Sequence, residues 1–306
     1  MDRFFRSSAA STMILPLLVL FIIFCGSVFG QVAELVCHLP WGDEAGQIGL
    51  INQPEVERCG PLSFCADGSG IFILDSVHQK VVLVEKNEVR TVAENMNGWA
   101  ICGDGAGGVF IQEGERIAAF DAQGKKGSHR LARSAGKSLK LVEGYGNEIF
   151  INSEGYLCAR TVSQMVYKAE APRVKKPAQN NKLPAAEFII KRLDRNVVRL
   201  IGFDSEGKDI ISILIQLDGT TAGAVLFKGA DDAGNLYVEV ERIAGTKVGL
   251  QVHRYSIQGK RLAVFDMENR YFTTVYKKTE VTPDGSVYQM LTMPDGVRIL
   301  RFGGVD

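Results

Sequence analysis

The chain has 306 residues, 46% of them apolar and 23% charged, which is enough for a sizeable core and unlike the composition of disordered chains. Its 35 basic and 35 acidic residues cancel, so it lacks the basic excess that binders of nucleic acid or of anionic membranes carry. Phosphate backbones are not expected partners.

The first thirty residues, MDRFFRSSAASTMILPLLVLFIIFCGSVFG, have a basic start at Arg3 and Arg6, an apolar run from Met13 to Cys25, and then small residues. That order is a secretory signal, with Val28 and Gly30 at the positions a signal peptidase reads and Gln31 as the new N-terminus. An uncleaved membrane anchor is the competing reading, because no charge appears between Ser7 and Ala33 and Met13 to Phe29 reaches the short end of a spanning helix. Both readings export residues 31–306, expected to be periplasmic or extracellular, as a single domain. Export places Cys37, Cys59, Cys65, Cys102 and Cys158 where disulfides are permitted, but they are too sparse for a disulfide framework and lack CxxC metal spacing.

Residues 60–84, GPLSFCADGSGIFILDSVHQKVVLV, contain three short strands and an Asp-Gly turn. Such a hairpin cannot bury enough surface alone, so it is one unit of something larger. It returns in degenerate form: a glycine-bearing turn and then an aromatic, at Phe72, Phe110, Phe150, Tyr237 and Tyr288. The steps are 38, 40, 87 and 51 residues, and the long one hides a sixth copy, for which GFDSEGKDIISILI around Ile211 is the candidate. A spacing near 43 residues, with about four strands per unit and no sustained helical period, predicts an all-β fold of six blades, a β-propeller. The recurring aromatics are expected to pack between blades. The last unit offers only three strands, so a segment from Ala33 to Leu39, AELVCHL, is expected to pair with Val297 to Phe302 and supply the fourth, covering an exposed edge.

At GP, the apolar strand, DG, IFILDS and VVLV, the chain resembles the NHL repeat and related six-bladed propellers. The likeness implies a fold and, because such propellers vary widely in role, only loosely a function. Asp75 of IFILDS gives way to Glu113 and Ser153 in the next two units, so a ligand pattern carried blade by blade is blurred. Lactonase-type propellers, a more distant resemblance, imply an axial Ca²⁺ held by carboxylates and amides of several blades, for which no ligands can be nominated here.

Cys65 and Cys102 each precede an Asp-Gly by two residues and so occupy one position in neighbouring units, where small buried side chains suit the inner strand. They read as structural thiols, with Cys59 and Cys65 as a local pairing candidate. Residues 168–187, KAEAPRVKKPAQNNKLPAAE, interrupt the spacing and read as an exposed inserted loop, either a binding surface or simply a solvated one.

Gly103, Gly105 and Gly108 match GxGxxG, but a β hairpin follows where a dinucleotide site needs a helix, so these read as turn glycines. His38, His78, His129 and His253 form no zinc spacing, and a turn histidine such as His78 is expected to be solvated. Asp67, Asp104, Asp218, Asp284 and Asp295 adjoin glycines or turns and are expected to close hairpins. No catalytic, cofactor-binding or metal-ligating residue is nominated. The expected function is a non-catalytic binding or scaffold module for a protein or small ligand, without a cofactor. The alternative is a metal-dependent hydrolase or lyase on the same frame.

Overall fold

The computed structural model describes residues 33–86, 88–114, 116–130, 148–151, 157–160, 166–168, 187–204 and 206–303. The segment expected to be a signal sequence, the side chains of His129 and Phe150, and the interior of the segment expected to be an inserted loop lie outside them. Among the described residues there is no helix, and none therefore long and apolar enough to cross a membrane.

Strand β1 is Glu34–Leu39. Sheet one holds β2 (Ser63–Asp67), β3 (Gly70–Asp75), β4 (Lys80–Glu85) and β5 (Glu88–Glu94), and sheet two holds β6 (Ala100–Gly103), β7 (Val109–Glu113), β8 (Arg116–Phe120) and β9 (Lys126–Arg130). Sheet three is β10 (Glu148–Ile151), β11 (Leu157–Arg160) and β12 (Val166–Lys168), and sheet four is β13 (Glu187–Asp194), β14 (Val197–Phe203) and β15 (Asp209–Gln216). Sheet five is β16 (Thr221–Ala230), β17 (Leu236–Ala244), β18 (Lys247–Tyr255) and β19 (Arg261–Met267). Sheet six is β20 (Thr279–Val281), β21 (Val287–Met293) and β22 (Gly296–Phe302), with β1 on its outer side. Every pair is antiparallel and joins sequence neighbours, except that β1 pairs with β22 from Glu34↔Arg301 to Leu39↔Val297. The N-terminal strand thus covers the edge the C-terminal unit leaves bare, as the strand count requires.

The leading strands line up: β6 lies against β2 and β10, and β20 against β2 and β16, with β13 against β16. Sheet faces alternate by the two-residue period, so one strand serves two seams. In β3, Phe72 and Leu74 join the apolar cluster shared with Ile101, Val109 and Ile111 of sheet two, while Ile71 and Ile73 join Leu39, Met290 and Ile299 of sheet six. Phe72, Tyr237 and Tyr288 sit in such seams. Phe72 and Tyr237 are fully buried, whereas Phe110 and Tyr288 are only half-buried. Cys65 pairs in register with Phe72 and Cys102 with Phe110, which confirms their equivalence. Cys37, Cys59 and Cys65 are free thiols, and the local pairing of Cys59 with Cys65 is not made, because Cys65 is buried in the seam while the Cys59 thiol donates to the Glu57 carbonyl at 3.4 Å.

The structure moves the fourth repeat. Asp121, Asp204 and Ser256 open one kind of turn, in which their amides donate to the carbonyls of Lys125, Lys208 and Lys260 and the amides of Gly124, Gly207 and Gly259 donate back to their carbonyls. The glycines sit at φ 79, 80 and 86°, where a side chain would be strained. This turn joins the third and fourth strands of sheets two and five, and in sheet four it joins β14 to β15. Ile211 stands on β15, the last described strand of sheet four, whereas Phe72, Phe110, Tyr237 and Tyr288 stand on second strands, and Phe188 of β13 is stacked on Phe227 of sheet five at 4.2 Å between centroids. A similar turn, closed by Asp231 or Thr282, also joins first to second strands. The turn alone therefore does not set the phase of a repeat.

Candidate functional site

The chain between Ile51 and Cys59 leaves the sheets as a short hairpin, clasped at its base by reciprocal backbone bonds of 2.9 and 3.1 Å between those two residues. Residues 52–58 are all exposed, and Glu55 turns the tip at φ 63°, a left-handed conformation uncommon for a side-chain-bearing residue. Opposite lies the irregular run Tyr271 to Lys278, which leads into β20. It is held to β21 through Phe272 N and Thr292 O at 2.9 Å, and to sheet one through Tyr276 N and Leu62 O at 2.8 Å. Between hairpin and run lies a cleft of about 850 Å³.

Two contacts tie the hairpin to the far wall. The Thr274 hydroxyl donates to Glu57 at 2.6 Å, and the Arg58 guanidinium lies 4.5 Å from the centre of the Phe272 ring while its Nε donates to Asn52 at 3.0 Å. Trp41 stands beside Phe272, with 6.5 Å between ring centres, and is fixed by its indole N–H on the Met293 carbonyl at 2.9 Å.

Behind the cleft, the seam between sheets five and six changes character. Its outer part is apolar, with Tyr237, Val252, Phe265, Val287 and Phe302. Tyr237 is anchored there by its hydroxyl, which donates to Asp231 at 2.9 Å, and burial followed by that carboxylate pushes its pKa upward. Continuing along β17 at every second residue, the same face carries Glu239 and Glu241. The buried Glu239 carboxylate accepts from the Thr279 hydroxyl, and Glu241 pairs with Lys278 at 3.1 Å. The Lys278 ammonium also lies 5.5 Å from the Tyr271 ring centre, and the Gln289 amide donates to the Tyr271 hydroxyl at 3.0 Å. Burial raises the Tyr271 pKa, so this phenol is a neutral donor and acceptor. Gln289 Oε1, completely buried, has no partner among the described residues. On the other flank of β20, Lys277 pairs with Glu280 at 2.6 Å beside Cys65, whose thiol is held protonated by burial.

The sequence candidates fall elsewhere. Gly103, Gly105 and Gly108 belong to the β6–β7 turn, where Asp67 of sheet one accepts from the Gly105 amide at 3.0 Å, and a Cβ on Gly103 would come within 2.1 Å of that carboxylate. Burial raises the Asp67 pKa against the backbone donors that lower it. Asp104 and Asp284 close turns as expected. His78 is not solvated: it bridges the buried Asp75 and the exposed Asp43 at 2.8 Å each. His253 is buried between Tyr255 and Gln251, at 3.0 and 2.9 Å. Among the described residues, no three histidine, cysteine or acidic side chains converge as a metal site would require. The cleft itself was not foreseen. A signal for its seam was present in YVEVER, where Tyr237, Glu239 and Glu241 share one strand face.

No family model matches the chain, and no curated protein matches it in sequence. Among solved structures it is similar to regucalcin, a calcium-binding protein of Agrobacterium tumefaciens, at 12% identity and TM-score 0.44 over 80% of this chain and 90% of that one. It is also similar to a gluconolactonase of Xanthomonas campestris, at 13% identity and TM-score 0.34 over 89% of this chain and 99% of that one. At these scores neither structure assigns a role to any residue here.

Proposed function

We propose that the protein is an exported six-bladed β-propeller of the NHL-like kind that captures a ligand in the cleft between residues 52–58 and 271–278. One observation supports this reading above the rest. Apart from Glu55 at the exposed hairpin tip, the charged groups of the cleft are already held by neighbours, Glu57 by Thr274, Arg58 by Asn52 and Phe272, and Lys278 by Glu241, so the walls offer mainly aromatic and hydrogen-bonding surface. Nucleic acid is not the expected ligand, given the zero formal charge.

The second reading is a metal-dependent hydrolase or lyase on the same frame. Glu239 and the unpartnered Gln289 Oε1 favour it, since buried oxygens of this kind suit a hard cation. The fit is poor: calcium takes roughly six to eight oxygens, and the Lys278 ammonium pairs with Glu241 in the same seam. Elemental analysis after dialysis, with assays on lactones and simple esters, separates the readings. Capture without turnover expects neither bound metal nor activity. One tightly held Ca²⁺ or Zn²⁺ per chain, lost together with turnover when Glu239 becomes Gln, would establish the second.

A further inference from the structure

We infer, building on the cleft as a ligand site, that residues 52–58 are an internal competitor: they occupy the far wall as an external ligand would, and that ligand is an extended peptide carrying arginine. All seven residues are exposed, and they reach the body through Glu57 on Thr274 and Arg58 on Phe272. Such a segment contributes little to the core and can leave its seat at small cost to the fold. What the body presents to it is specific. Phe272, with Trp41 beside it, offers a flat face on which a guanidinium stacks, and Thr274 offers a hydroxyl to a carboxylate one residue before that arginine.

A side chain tethered this way competes at an effective concentration on the order of millimolar, so it suppresses weak partners and yields to strong ones. The clasp between Ile51 and Cys59 keeps the segment tethered beside the wall, so only the side-chain contacts of Glu57 and Arg58 have to break for it to yield. The ligand class follows from the stand-in: an acidic residue followed by arginine, in extended chain, at the wall formed by Tyr271 to Val275.

The test supplies the hairpin's own sequence in trans. The probe is the peptide Asn-Gln-Pro-Glu-Val-Glu-Arg, blocked at both ends, followed by saturation-transfer NMR at millimolar concentration. It is offered to the wild-type protein and to a full-length variant in which Gly-Gly replaces residues 53–58. Transfer to the arginine methylenes is expected to be at least fivefold stronger with the shortened variant, to vanish when the peptide arginine becomes alanine, and to vanish in the shortened variant carrying Phe272→Ala. Equal transfer with both proteins, or no transfer to a shortened variant that melts cooperatively, would overturn the competitor. Should that variant not fold, Glu57→Gln with Arg58→Ala in the intact hairpin replaces it, under the same two outcomes. Transfer that survives Phe272→Ala places the peptide elsewhere and sinks the inference. It leaves capture in the cleft standing, because crosslinking from the hairpin tip measures that independently.

Discussion

The carboxylate of Asp75, wholly buried at the end of β3, accepts from the Gly49 amide at 3.0 Å and meets His78 Nδ1 at 2.8 Å, while Lys80 lies 3.8 Å away. It pins the segment that follows β1 onto sheet one. Removing one partner of such a buried set leaves polar groups stranded, so Asp75→Ala is expected to cost roughly 3 kcal/mol. Urea unfolding of the purified protein measures it, and a loss under 1 kcal/mol would argue against the clamp.

His78 sets a pH dependence of one sign. Burial lowers its pKa, but the hydrogen bonds to Asp43 and Asp75 outweigh that and hold it above the usual value. Its contribution is therefore complete below the unfolded value of 6.5 and fades as pH rises through the folded one. Wild type and His78→Gln should differ most at pH 5 and converge above pH 8.

His253 sets the opposite sign. Burial, then the charges of Arg261 and Arg242, bring its pKa down to about 4, against an opposing contribution from Asp266. The unfolded chain takes up the proton first, so stability is lost as pH falls from 6.5 through about 4, by an amount on the order of 3 kcal/mol. A His253→Gln protein should keep a flatter unfolding free energy across that window. Parallel profiles for the two proteins would show that His253 does not carry the effect.

Phe72 and Phe110 share a repeat position but not an environment. The first is fully buried in the seam between sheets one and two, so Phe72→Ala is expected to cost about 3 to 5 kcal/mol. Phe110 is half-buried, and its replacement should cost clearly less. Thermal melts of the two variants side by side check the order, which a reversal would refute.

The repeat was legible because an aromatic after a glycine turn is a local signal, and the closing strand because a unit with three strands needs a fourth. The phase of the fourth unit was not, since the Asp-x-x-Gly turn serves two junctions. Much less of the site was legible. Glu239 and Glu241 can be placed on the face of Tyr237 by counting in twos. Their partners Thr279 and Lys278 lie 40 and 37 residues away, and Thr274 meets Glu57 across 217. Those meetings come from sheet order, which no short motif records.

Capture in the cleft is tested most directly by photo-crosslinking in the producing cell, with benzoylphenylalanine at Val56 on the hairpin tip or at Leu214 on sheet four. Both positions are about half exposed, 50% and 53%, so reactivity with solvent does not separate them. The account expects a discrete adduct from Val56 that weakens when Phe272 is also replaced by alanine, and none from Leu214. Adducts from Leu214 with none from Val56, or an adduct at Val56 indifferent to Phe272, would contradict it.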